Sequence, residues 1–338
     1  MKKHPLRKGF TTGTAAAAAA KGATLYMMTK NLPKSIKTLL PDGTYLDIPL
    51  IFEDGMVGVI KDAGDDPDVT DKIKIFAKVR RLSKDGDIII KGGKGVGFVT
   101  KPGLQLPVGS PAINPVPQRM IRENIREVIK KWGIEVEIII PDGEKIAKKT
   151  FNERLGIMGG LSILGTKGIV EPMSIDAIKT TIKCEIDVAT AIGYKRLAFV
   201  PGKIGEDALK KILFVKIPII QISNFAGFSL SYAYQKGVNE IILAGHPGKL
   251  AKIAMGYLDT HSSKSPPATT YVAELFGLKG EYNTVEEIIQ SLPGDQRFKM
   301  CSVLAAKIAE KCCEFFNFLQ VTVYLFDMKK RLIGRCGV

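Results

Sequence analysis

The stretch RLAFVPGKIGEDALKKILFVKIPIIQISNFAGFSLSYAYQKGVNEIILAGHPGKLAKIAM, residues 196–255, decides the fold. Apolar runs at 196–200, 218–222 and 240–244 have strand length, and each ends at a turn-forming Gly, Pro, Ser or Asn. Helical patterns follow at 206–213, 225–235 and 250–255, and another precedes the first strand at 175–192. This regular alternation predicts crossover connections, hence an α/β doubly wound, Rossmann-like parallel-sheet domain over 156–338. Helices near Val272, Val285 and Ser302, then a hairpin between Val321 and Ile333, complete it.

Open α/β sheets hold ligands beyond the carboxyl ends of their strands, where loops and helix amino termini converge. Here those ends are Pro201-Gly202, Ser223-Asn224-Phe225 and Gly245-His246-Pro247-Gly248. Gly202, Ser223, Asn224, Gly245 and His246 are therefore candidate ligand residues, and His246 is also a candidate acid–base group.

Upstream the alternation stops. Residues 155–174, LGIMGGLSILGTKGIVEPMS, form a glycine-rich apolar connection in which Glu171 sets a carboxylate beside backbone amides or caps the next helix. Residues 91–120, KGGKGVGFVTKPGLQLPVGSPAINPVPQRM, form a longer one after the apolar run Ile88-Ile89-Ile90. Its glycines permit close backbone approach and its prolines remove donors, while Val96, Phe98, Leu104 and Leu106 argue for order. It reads as the wall of a ligand site. With short strands between 36 and 79, a helix at 119–132 and a strand at 136–140, residues 1–155 are expected to be an α+β domain.

Two further clusters carry polar chemistry. Thr11, Thr12, Gly13 and Thr14 precede six alanines, so the hydroxyls either cap a helix or hold an anion at its amino terminus. Residues 62–68 carry four aspartates, Asp62, Asp65, Asp66 and Asp68. They suit a hard cation, acid–base work or an Asx-rich turn, but they lack EF-hand spacing. The three histidines are His4 in the basic arm, read as inert, His246, and His261 in the polar turn 259–263. No nucleophile elbow, P-loop, HExxH or paired zinc-ligand spacing occurs, so no metal site is expected.

Composition bounds the rest. The chain has 338 residues, 45% hydrophobic and 25% charged, with a formal charge of +15. No apolar run reaches membrane-spanning length, and the five cysteines, Cys184, Cys301, Cys312, Cys313 and Cys336, lack CxxC spacing. A cytoplasmic protein with free thiols follows. The basic residues are scattered, without a nucleic-acid signature; the excess charge suits solubility or heat stability, or a polyanionic small molecule steered into a positive cleft, and neither nucleic acid nor membrane is the expected partner. A homo-oligomer stays open.

These residues together resemble the cobalt-precorrin-5B C1-methyltransferase family of anaerobic cobalamin biosynthesis, the CbiD type. The resemblance rests on LRKGFTTGTAAAAAAKGA (6–23), DAGDDPDVT (62–70), GKGVGFVTKPGLQLPVGSPAINPVPQRMI (93–121), LSILGTKGIVEPMS (161–174) and GHPGKLAKIAMGYLDTHSS (245–263). It implies methyl transfer from S-adenosylmethionine to C1 of a cobalt-corrinoid, with cobalt present only as part of the substrate. A corrinoid bears many carboxylates, which suits the positive charge. On this reading Gly202, Ser223, Asn224, Gly245, His246 and Glu171 take the cofactor. Thr11, Thr12, Thr14, Gly93, Gly95, Gly97, Lys101, Asn114, Arg119 and His261 take the corrinoid, and Asp65, Asp66 and His246 are the catalytic candidates. The family pattern places a histidine after Asp-Val-Thr, where this chain has Asp71. The competing class is a non-catalytic corrinoid- or nucleotide-binding module.

Overall fold

All six residues from Ala15 to Ala20 are completely buried. Alanine is the best helix former and adds almost no bulk, so such a helix can be enclosed on several sides. It is helix α1 (Thr12–Thr29), and it packs against a second helix and two strands in the computed structural model, which describes residues 6–213 and 216–337. His4 lies outside the described residues. The chain divides into two compact units, Met1–Ser174 and Ile175–Val338.

The first unit runs β1 (Gly9–Phe10), α1, β2 (Ser35–Leu39), β3 (Tyr45–Pro49), β4 (Ile51–Glu53), β5 (Met56–Ile60), β6 (Lys74–Arg81), β7 (Ile88–Gly92) and β8 (Phe98–Val99). It continues through α2 (Pro115–Val128), β9 (Ile134–Ile139), α3 (Gly143–Ala147), β10 (Ile157–Met158) and β11 (Ile169–Val170). Its main sheet has the order β4-β5-β6-β9-β7, antiparallel except for the β7–β9 pair. Helix α1 packs on one face, α2 packs against α1, and both share the sheet's apolar core. Helix α2 starts at Pro115, four residues before the expected Arg119. Proline suits the first helical position, where its missing N–H has no helical partner to lose.

The two glycine-rich connections are cross-braced. Strand β8 pairs with β10, Val96 bridges Leu161, Ile113 bridges Ile163, and β1 pairs with β11. The expected boundary at 155 therefore moves: residues 155–174 complete the first unit, and the division falls after Ser174.

The second unit runs α4 (Ile175–Ala191), β12 (Arg196–Val200), α5 (Lys203–Ile212), β13 (Ile219–Gln221), α6 (Ala226–Gln235), β14 (Glu240–Gly245), α7 (Pro247–Ala254) and α8 (Thr269–Leu275). It ends with α9 (Val285–Ser291), α10 (Gly294–Phe315), β15 (Gln320–Phe326) and β16 (Leu332–Gly337). Its sheet has the order β13-β12-β14-β15-β16, with the first four strands parallel and β16 antiparallel. The sheet is thus mixed, because the expected terminal hairpin joins it and supplies an antiparallel edge strand. Alternate residues of one strand face opposite cores. Leu197 and Phe199 meet α4, α6, α7 and α10, whereas Ala198 and Val200 meet α5. No helix among the described residues is long and apolar enough to cross a membrane.

Candidate functional site

The Thr-Thr-Gly-Thr turn is a clamp. Thr11 caps α1, its hydroxyl accepting from Thr14 N at 3.2 Å. Thr11 N donates to Gly168 O, Gly13 N to Leu164 O, and the Thr14 hydroxyl to Gly168 O at 2.6 Å. Thr12 Oγ1 accepts from Leu164 N at 2.9 Å. Thr11, Thr12 and Thr14 are all buried; the Thr11 hydroxyl stays within the helix start, while Thr11 N and the hydroxyls of Thr12 and Thr14 bond the backbone of residues 162–168. Of the two roles open to these hydroxyls, capping and anchoring are the ones seen here.

Gly93, Gly95 and Gly97 also serve packing. Gly95 has φ +75, and a Cβ there would lie 1.9 Å from Ile140 O. Side chains at Gly93 and Gly97 would strike Glu137 and the Ile157–Gly160 region. These three glycines let two loops approach, and they do not line the cleft described next.

That cleft, of about 720 Å³, is lined by Lys8, Phe10, Leu46, Asp62, Lys167 and Glu171 among others. Lys8 Nζ is 2.9 Å from Glu171 Oε1, and Lys167 Nζ 3.7 Å from Oε2, so the two ammoniums hold Glu171 below its ordinary range. Arg7 Nη2 donates to Asp62 Oδ1 at 2.9 Å. The guanidinium, Gly64 N–H and Lys72 outweigh desolvation and depress Asp62 strongly. Asp65 accepts from Arg7 N at 2.6 Å and Asp66 from Met173 N at 2.9 Å. The aspartate loop therefore fastens the amino-terminal arm and the end of the unit, and Asp65 and Asp66 act as structural acceptors. Asp71, at the position where the resemblance leads one to expect a histidine, accepts from Ala63 N at 2.8 Å.

Three other candidates of this unit are scattered. Lys101 reaches Arg154 O at 3.4 Å, and Asn114 precedes α2 without a side-chain cap. Arg119 is exposed, 3.8 Å from Glu123. Among the described residues no group of three or more His, Cys, Asp or Glu side chains is placed to hold a metal ion.

In the second unit the parallel register aligns the strand ends: Val200 is level with Gln221, and Phe199 with Leu243. Gly202, Ser223, Asn224, Gly245 and His246 consequently gather at one sheet edge. A Cβ at Gly202 would meet nothing within 4 Å. Ser223, held at φ +51, and Asn224 are half-buried, and their side chains make no hydrogen bond among the described residues. His246 is committed: Nδ1 accepts from Gly248 N at 3.0 Å, capping α7, and Nε2 lies 2.8 Å from Glu286 Oε2. Both ring nitrogens are engaged, Nδ1 in the cap and Nε2 with Glu286. His261 joins the edge because Thr260 N donates to Asn224 O and Asp259 bridges Phe225.

Sequence reasoning missed Lys8, Lys167 and Lys252. Lys252 sits on the buried side of α7, and a lysine inside an apolar stripe was the available signal. It also missed Glu206, completely buried in the first turn of α5, where it accepts from Lys210 Nζ at 2.5 Å and from Gln221.

The CbiD family model matches residues 1–172, nearly all of the first unit. A cobalt-precorrin-5B C(1)-methyltransferase of Thermoanaerobacter sp. (strain X514) is 39% identical over 98% of this chain and 96% of its own length. The protein of that name from Methanocaldococcus jannaschii is 42% identical over 96% of this chain and 95% of its own. A crystal structure of a cobalamin biosynthesis protein from Archaeoglobus fulgidus is 33% identical, covering 75% of this chain and 82% of that one, with a TM-score of 0.43.

Proposed function

The chain belongs to the CbiD family, and from that premise we propose that it methylates C1 of cobalt-precorrin-5B, giving cobalt-precorrin-6A in anaerobic cobalamin biosynthesis. The observation that carries this is identity of about 40% over nearly the whole length of both chains, in relatives that all bear the same name.

In this reading S-adenosylmethionine is the methyl donor, and it supplies an electrophilic methyl on a sulfonium. The second unit is read as Rossmann-like, with the donor beyond its strand ends. The residues there fit such a molecule: Gly202 leaves open space, and the unpaired side chains of Ser223 and Asn224 suit ribose hydroxyls. Methyl transfer needs alignment and exclusion of water more than proton relay, which suits an edge whose histidine is spent on capping.

The corrinoid enters as a polycarboxylate, carrying its own cobalt. Lys8 and Lys167 in the first unit's cleft are suited to its carboxylates, with Glu171 holding them in place until the substrate arrives. A cytoplasmic location, and no role for nucleic acid, belong to the same reading.

Incubating the protein with methyl-labelled S-adenosylmethionine and cobalt-precorrin-5B tests it. Label on C1 of the product is expected. Tight binding of both molecules without transfer would make the protein a corrinoid-binding module instead.

A further inference from the structure

Lys252 is a buried cation with no counter-ion among the described residues. Its side chain is 7% exposed. Its ammonium is held by three neutral oxygens, Thr260 O at 3.2 Å, Ser265 Oγ at 3.1 Å and Ser265 O at 3.4 Å. Among the described residues it pairs with no carboxylate. Burying an ammonium is costly even after relaxation, and neutral dipoles return only part of the lost hydration. Lys249, one turn earlier, adds a second positive charge, and desolvation together with Lys252 pushes it below its ordinary value.

The loop that Lys252 holds has its own unmet need. Thr260 is 5% exposed, and its hydroxyl is buried with no hydrogen-bond partner. Buried hydroxyls are normally paired, so an orphan beside a buried cation marks a place for an acceptor. His261 Nδ1 accepts from Ser263 N at 3.1 Å and lies 2.7 Å from Ser263 Oγ, which leaves Nε2 as the outward donor on an exposed ring. The loop's own acid, Asp259, is occupied in accepting from His261 N at 3.1 Å. Thr260 N to Asn224 O at 3.0 Å, and Gly227 N to Leu258 O, zip the loop onto the strand end that carries Ser223 and Asn224.

We propose that Lys252, Thr260 and His261 form a carboxylate seat in the second unit, filled when the protein binds its ligands. Lys252 supplies fixed positive charge from below and positions the loop, while Thr260 Oγ and His261 Nε2–H donate to the carboxylate. The proposal rests on the functional reading above only for the source of that group. It is either the amino-acid end of the methyl donor or an acetate or propionate arm of the corrinoid.

The test measures equilibrium binding, without turnover, to the full chain. The probes are S-adenosylhomocysteine and its carboxyl methyl ester, and cobyrinic acid and its heptamethyl ester. Lys252→Met should weaken one acid form about tenfold or more while leaving the matching ester unchanged. The acid affected identifies the source. Thr260→Val breaks no hydrogen bond and keeps the fold, so it serves if Lys252→Met fails to fold; it should give a smaller loss of the same kind. Equal losses for acid and ester would make Lys252 a structural staple and overturn the proposal. So would unchanged affinity for every probe, or no binding of any probe to the wild-type protein. Methyl transfer is not the readout, so a failed seat stays distinct from a failed function.

Discussion

Lys61 Nζ lies 2.8 Å from Asp68 Oδ2, and the lysine side chain is 1% exposed. Burial alone would raise the Asp68 pKa, but Lys61 and two bonds from Thr70 pull it below its ordinary value. A carboxylate depressed in the folded state contributes stability above its unfolded pKa and loses it as pH falls through the folded one. Asp62, depressed chiefly by Arg7, acts in the same direction. Melting temperature should therefore fall as pH drops below about 4. Asp68→Asn should cost about 3 kcal/mol at pH 7, because it strands a buried ammonium. Its melting curves should also be flatter in acid than those of the wild type; an identical acid limb would remove the pair from this account.

Thr14 ties α1 to the loop at Gly168. Thr14→Val keeps the shape but removes one of the two donors to the Gly168 carbonyl, Thr11 N remaining, at a cost of roughly 0.5–1.5 kcal/mol. Chemical denaturation should register this as a lower midpoint with an unchanged slope. A neutral result would mean that the loop is held by its other bonds alone.

The thiols divide by environment. Cys301 and Cys312 are completely buried, and desolvation pushes each up to about 12, whereas Cys313 is exposed. Brief alkylation of the native protein at pH 8, read by peptide mass spectrometry, should label Cys313 and spare Cys301 and Cys312 until denaturant is added. Early labelling of Cys312 would mean that α10 opens locally.

Glycine substitutions separate architecture from binding. Gly95→Ala sets a methyl against Ile140 O in a left-handed backbone and should lower the melting temperature sharply. Gly202→Ala meets no atom and should leave melting unchanged while weakening S-adenosylhomocysteine. Unchanged affinity in Gly202→Ala would move the donor away from this strand end.

The alternation from 175 to 255 was legible because strand and helix have different hydrophobic periods, and both repeat there. The edge formed by Gly202, Ser223, Asn224 and Gly245 followed from strand direction alone. The first unit was harder to read. Gly95 and Gly97 carry the same sequence signal whether a ligand or another loop comes close, and here Ile140 and Gly160 come close. Thr12 and Asp66 are likewise polar at turns, but their partners lie 152 and 107 residues away. Pairings over such distances leave no periodic trace. Lys252 was passed over because its oxygens belong to backbone and to Ser265, which no spacing rule links to a lysine.

Strand β15 lies beside β14, yet 74 residues separate Glu240–Gly245 from Gln320–Phe326. During synthesis β14 emerges with one edge unpaired, and the core it shares with α4, α6 and α7 stays open on the side that α10 completes until residues 294–326 are made. Long-range pairing of this kind is slow, and an exposed apolar edge invites association with other chains. A ribosome carrying the first 300 residues would thus display a half-built sheet whose β14 edge has no strand beside it.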